Sequence, residues 1–147
     1  MPERETENID TVILCGGLGT RLQNVAKGLP KPMVDINGKP FLDLIIDSLA
    51  SFGFKRFILC SGYKSKIIAE HYRQKNDGLE YVLSEEAIPL GTGGAMVQAK
   101  NLITSKVFLG LNGDSICQID FKEFLKFHLE KKANVSIALT SVDDPQD

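Results

Sequence analysis

Cysteine and histidine are scarce in this sequence of 147 residues, with three of the first and two of the second. Cys15, Cys60 and Cys117 stand far apart and form no C-x-x-C pair, which argues against a zinc site or a redox pair. An odd, scattered set of thiols also makes no disulfide framework, and a reducing cytoplasm is the expected compartment. Cys15 and Cys60 end apolar runs, where a free thiol behaves as a small buried hydrophobe. His71 lies beside Tyr72, and His128 follows Phe124 by four. Both histidines read as packing or surface residues without a catalytic role. No apolar run approaches the ~20 residues that span a bilayer, so no membrane contact is expected. Residues 1–10 are polar and acidic and lack the apolar stretch of a signal peptide. They are expected to form a short solvated tail. The formal charge of -2 provides no basic field for a nucleic-acid backbone.

What is present is the composition of a soluble globular domain, 43% hydrophobic and 24% charged, at a length that suits one domain. Thr11 to Cys15 (TVILC) is a β-branched apolar run that stops at glycines, the mark of a strand buried on both faces. From Phe41 to Phe52 the period changes. Phe41, Ile45, Leu49 and Phe52 share a helical stripe, and Gly53 ends it. Phe57 to Cys60 reads as a second strand. Ser65 is placed to cap a helix with Ile67, Ile68 and Tyr72 inward. Residues 79–84 alternate as a third strand, and Gly93 to Ile103 reads as a third helix. Val107 to Leu111 is a fourth strand, halted by Asn112-Gly113-Asp114. Asp120 and Glu123 resemble a capping box for a helix with Phe121, Phe124, Leu125 and Leu129 inward. Val135 to Val142 is expected as a fifth strand. This alternation predicts an α/β three-layer sandwich with a mostly parallel central sheet over residues 11–142. Residues 143–147 form the chain's end.

Ligands of such sheets bind outside the carboxyl ends of the strands. Three polar features fall there, and a lysine in the connection after the first strand makes a fourth candidate. The first is Leu14-Cys15-Gly16-Gly17-Leu18-Gly19-Thr20-Arg21-Leu22, whose glycines let backbone N–H groups approach phosphate oxygens. Arg21 adds a planar fork suited to phosphate. Leu22 stands where a dinucleotide fingerprint needs its third glycine, and no Gly-Lys-Ser/Thr follows, so an NAD site and a P-loop are both disfavoured. The second is Lys31, braced by Pro30 and Pro32 within a long connection, Gln23 to Pro40, with little secondary structure of its own. The third is Ser84 to Ala95 (SEEAIPLGTGGA), a glycine-rich helix start with free N–H groups. The fourth is Asn112-Gly113-Asp114, a carboxylate at a strand end suited to Mg²⁺. Each alone is more often a plain turn or a surface lysine.

Taken in order, GGLGTRL (16–22), PKP (30–32), NGKP (37–40), S-x-E-x-x-PLGTGGA (84–95) and NGD (112–114) resemble the sugar-1-phosphate nucleotidylyltransferases. In detail they are most like the D-glycero-D-manno-heptose 1-phosphate guanylyltransferase branch. The resemblance runs from Thr11 to Val142, and the first motif followed by PKP is its most specific part. It implies a Rossmann-like nucleotidyltransferase fold and transfer of a nucleoside monophosphate from a triphosphate, GTP by the branch, to a sugar 1-phosphate, here a heptose 1-phosphate. Pyrophosphate and a nucleotide-sugar for lipopolysaccharide, capsule or S-layer glycan would result. Arg21 and Lys31 would be catalytic, holding the triphosphate. Leu14, Gly16, Gly17, Gly19, Thr20, Arg21, Glu86, Gly91 and Thr92 would bind the nucleotide, and Asp114 would ligate Mg²⁺. Cys15 replaces the alanine more usual there. Family members run well past two hundred residues, and their later part supplies the sugar pocket and a second acidic metal ligand. The chain is therefore expected to be the first part of the catalytic domain and inactive by itself. A non-catalytic nucleotide-binding regulatory subunit, an enzyme using dTTP, UTP or CTP, and a homo-oligomeric state all stay open.

Overall fold

Residues 4–17 and 28–141 are described by a computed structural model of the chain. One helical turn, α1 (Arg4–Glu7), precedes strand β1 (Asp10–Leu14). The next described stretch holds a three-residue 3₁₀ turn, Lys31–Met33, then a hairpin of β2 (Asp35–Ile36) and β3 (Lys39–Pro40). Asn37 and Gly38 turn it with φ of 55° and 88°, the left-handed pair that a tight hairpin turn requires. There follow α2 (Phe41–Ser51), β4 (Arg56–Ser61), α3 (Ser65–Arg73), β5 (Glu80–Glu85), α4 (Gly91–Ala99), β6 (Phe108–Asn112) and α5 (Phe121–Lys131).

Strands β5, β4, β1 and β6 form one wholly parallel sheet in that order. Parallel neighbours demand crossovers, and the intervening helices bury both faces of the central strands β1 and β4, while no residue of β6 is buried. On one face Val12, Ile58 and Cys60 pack with Ala95 and Ala99 of α4. On the other, Phe57 stacks on Tyr81, with ring centroids 6.1 Å apart, and Tyr72 of α3 lies 4.7 Å from Tyr81. The expected α/β sandwich is the fold observed.

Two buried carboxylates brace this frame, and each is satisfied from several directions, as burial of charge demands. Asp43 on α2 accepts from the Tyr72 hydroxyl at 2.7 Å and meets His71 and Lys75, both at 3.0 Å. Asp10 at the head of β1 takes Arg56 at 2.7 Å and the Ser105 N–H at 2.9 Å, and it bonds the Thr104 N–H as well.

The described residues divide into two compact units, one ending at Cys117 and one starting at Gln118. In the second, Asp120 caps α5, accepting from Lys122 N–H at 2.9 Å and Glu123 N–H at 3.1 Å. Phe121 and Leu125 are buried and Phe124 is half-buried, but Leu129 is exposed, a correction to the expected inner stripe.

Other expectations also need correcting. No strand forms over residues 135–141, and Val135, Ile137 and Leu139 are exposed; Val142 lies outside the described residues. The alternating pattern is present, but a strand needs a neighbour for its N–H and C=O groups, and no described segment pairs there. Residues 4–10 are not a solvated tail. Thr6 is buried and donates to Phe52 O at 2.9 Å, and Asp10 is buried within the sheet. Ser65 is the first residue of α3 rather than its cap, which is Lys64 in the left-handed region, and its hydroxyl bonds Glu85. The third helix starts two residues early, at Gly91, and gives way to a 3₁₀ turn at Lys100–Leu102. From residue 28 onward, the connection expected to hold little secondary structure has a three-residue 3₁₀ turn and a hairpin of two-residue strands.

Candidate functional site

Because the four strands are parallel, their carboxyl ends share one edge, and backbone bonds lace those ends together. Glu86 N–H donates to Ser61 O, Cys15 N–H to Cys60 O and Gly113 N–H to Leu14 O, each at 2.8 Å. Glu86, Gly62, Gly16 and Gly113 thus stand in a row across the sheet, with Asp114 at its end.

Crowding favours glycine along that row. A Cβ on Gly16 would sit 2.6 Å from Glu86 Oε1 and 3.2 Å from the Gly62 nitrogen. On Gly113 it would meet Cys15 Cβ, Ile13 Cγ2 and Leu14 O, all at 3.1 Å. Glycine lets the chain ends close up and leaves backbone exposed beside the Glu86 carboxylate. Glu86 Oε2 also accepts from Leu90 N–H at 3.0 Å, which fixes the strap leading into α4. Gly91 opens that helix with φ of 69°, and Gly91 and Thr92 are exposed on its first turn.

Lys31 reaches this edge from the connection after β1. Pro30, Pro32 and Met33 are buried, so the turn is clamped into the body of the protein and only Lys31 looks outward. Its Nζ lies 2.7 Å from Asp114 Oδ2, joining residues 83 positions apart. The Lys31 ammonium holds the Asp114 carboxyl below the usual carboxylate range. Ser115 donates to Asp114 Oδ1 at 3.2 Å.

Of the residues expected at the site, the structure gathers Leu14, Gly16, Gly17, Lys31, Glu86 and Asp114 on this edge, with Gly91 and Thr92 just past the Glu86 strap. Gly19, Thr20 and Arg21 lie outside the described residues. Reading the sequence missed the Gly62-Tyr63-Lys64 turn after β4. Lys64 donates to Gly28 O and lies 5.3 Å from the centre of the Tyr63 ring. The signal was available, since a glycine directly after a buried strand marked the other two loops.

A divalent cation fits the donor set. Mg²⁺ typically takes one or two carboxylates, completing its shell with water and substrate phosphate. Among the described residues no group of three or more His, Cys, Asp or Glu converges, so Asp114 suits that mode rather than an all-protein cage. The nearby thiols are unsuited to attack. Burial pushes Cys15 upward, and burial with the Glu86 charge pushes Cys60 up to about 11. No helix among the described residues is long and apolar enough to cross a membrane.

Comparison with known proteins places the chain in a family. The family described as nucleotidyl transferase matches residues 10–147. The chain is 39% identical over 136 residues to D-glycero-alpha-D-manno-heptose 1-phosphate guanylyltransferase of Campylobacter jejuni subsp. jejuni, covering 92% of this chain and 59% of that protein. It is 37% identical over 131 residues to the enzyme of the same name from Aneurinibacillus thermoaerophilus, covering 89% and 57%. Among solved structures, HddC from Yersinia pseudotuberculosis complexed with GMP-PN superposes with a TM-score of 0.73 at 42% identity, over 83% of this chain and 55% of that one. The chain therefore spans less than two thirds of these relatives.

Proposed function

We propose, since this chain belongs to the nucleotidyl transferase family, that it forms the nucleotide-binding part of a sugar-1-phosphate nucleotidylyltransferase. Its triphosphate is GTP and its acceptor a heptose 1-phosphate. The names of the similar guanylyltransferases support that choice. The nucleotide-sugar would serve lipopolysaccharide, capsule or S-layer glycan assembly in the cytoplasm, a setting that suits the free thiols Cys15 and Cys60.

The observation that carries the reading is the meeting of Lys31 and Asp114 at the end of a row of strand termini that also holds Gly16 and Glu86. In the reaction, a phosphate oxygen of the sugar 1-phosphate attacks the α-phosphorus of the triphosphate. The bond from that phosphorus to the β-phosphate oxygen breaks, and pyrophosphate leaves. A phosphate monoester has its second pKa near ~6, so the nucleophile is already ionised at neutral pH and needs no general base. The work left to the protein is to align two polyanions and offset their repulsion. Lys31 supplies a positive charge, and Arg21 is assigned the same task from the glycine-rich loop. The backbone of half-buried Gly16 and exposed Gly17 receives the nucleotide, and Glu86 with Gly91 and Thr92 borders the base or ribose. Asp114 would hold Mg²⁺, which when bound supplies charge neutralisation on the phosphates.

Thermal-shift titration of the chain with GTP, dTTP, UTP, CTP and ATP in Mg²⁺ tests base choice directly, because a ligand of the native state raises Tm. GTP is expected to give the largest shift. A larger response to another triphosphate would reassign the base, and no response to any would remove the nucleotide reading.

A further inference from the structure

Lys31 and Asp114 are held in place by parts of the fold that cannot easily part. Lys31 projects from a turn whose flanking prolines are buried, and Asp114 follows a glycine pressed against Cys15, Ile13 and Leu14. The backbone therefore keeps the two groups adjacent. The bond between them is another matter. The side chains are 34% and 41% exposed, and an ion pair open to water contributes little. Nearness is permanent while the contact is loose, and the flexible four-carbon stem of the lysine is free to swing.

A divalent cation approaching Asp114 meets an occupied carboxylate. Oδ2 holds the Lys31 ammonium and Oδ1 holds the Ser115 hydroxyl. Ser115 can rotate and offer its own oxygen to a cation, but an ammonium has three donors and no acceptor. It can only repel the metal. We infer that Lys31 is the resident counterion of Asp114, and that ammonium and divalent metal occupy this carboxylate in turn. Arrival of the metal expels the ammonium, which is then free for the substrate phosphates beside it. Lys31 would thus keep the metal site neutral until it is filled. The inference rests on the reading of Asp114 as the metal carboxylate.

Mn²⁺ titration of the 147-residue chain, with free ion counted by electron paramagnetic resonance, tests this without turnover. Lys31→Met is expected to bind Mn²⁺ about threefold to tenfold more tightly than the native chain, or about 0.7–1.4 kcal/mol. Lys31→Arg, which restores a cation, should return affinity toward the native value. Asp114→Asn should lose most of the binding. Unchanged or weaker binding by Lys31→Met, with Asp114→Asn still defective, overturns the exchange and leaves the metal carboxylate standing. Native-like binding by Asp114→Asn, or no binding by the native chain, overturns both. Should Lys31→Met fail to fold, pulse acetylation of the native chain read by peptide mass spectrometry serves instead. Mn²⁺ is expected to raise the Lys31 rate at least about threefold relative to the other lysines; an unchanged rate overturns the exchange.

Discussion

Gly113 shows how one missing side chain governs the site. It is buried, its N–H is bonded to Leu14 O at 2.8 Å, and three atoms stand 3.1 Å from the place a Cβ would take. Two of those neighbours are a backbone oxygen and a Cβ, which cannot swing aside. Gly113→Ala must therefore shift residues 112–114 against their neighbours by a few tenths of an ångström, and the Asp114 carboxylate with them. We expect a loss of about 1–3 kcal/mol, typical of overpacking, measured by the denaturant midpoint. A midpoint equal to the native one would show that the edge has slack. The same logic explains Gly16, although there the nearest atom is the end of the Glu86 side chain, which can rotate. Gly16→Ala would thus disturb the site more than the fold. Both glycines stood out in the sequence because each follows a buried apolar run. Their reason, the closeness of Cys15 or Glu86, did not.

At the scale of elements, the anchor is at the opposite edge of the sheet. Asp10 on β1 binds Arg56 on β4, and Arg56 also bonds Glu80 on β5 at 2.9 Å. Asp10 further takes the N–H groups of Thr104 and Ser105, in the segment leading to β6. Asp10 thus ties β1 to β4 and to the segment before β6, and Arg56 extends the tie to β5. Burial would raise the Asp10 carboxyl. The bonds from Ser105, Arg56 and Thr104 outweigh burial and lower it from the ordinary 3.8 to about 2. A depressed carboxyl stabilises the fold above its unfolded value, and that contribution fades as pH falls from about 4 to about 2. It amounts to something on the order of 2 kcal/mol. Asp10→Asn should therefore be less stable at pH 7, with a shallower decline between pH 5 and pH 2 in denaturant titrations. An unaltered acid slope would remove Asp10 from this role. Reading the sequence placed this residue in a tail, because a polar stretch ahead of a strand gives no local sign of partners 46 and 95 positions away.

For the molecule as a whole, the proposed function requires that segments from distant parts of the chain reach one edge. Arg21, Lys31 and Asp114 were chosen from separate stretches, and the structure joins two of them at 2.7 Å. In an enzyme completed by the remaining length of its relatives, Arg21→Ala is expected to lower kcat by roughly 10²–10³-fold, as loss of a charge-stabilising donor does. Near-normal steady-state turnover would strike Arg21 from the mechanism. The strand expected at 135–142 belongs to this scale too. Its alternating pattern is plain, yet no described segment pairs with residues 135–141, and its apolar side chains stay exposed.

The sequence by itself determined the alternation of strands and helices up to α5, the breaks at glycine and proline, and the strand ends at which the proposed site lies. Those are set by local periodicity and backbone preference, which act over a few residues. Only the tertiary structure decided which distant groups meet: Lys31 with Asp114, Glu86 with Gly16, Asp10 with Arg56, Asp43 with Tyr72. Such contacts follow from strand order and crossover geometry, and no local pattern in the chain encodes a distance between residues 83 positions apart.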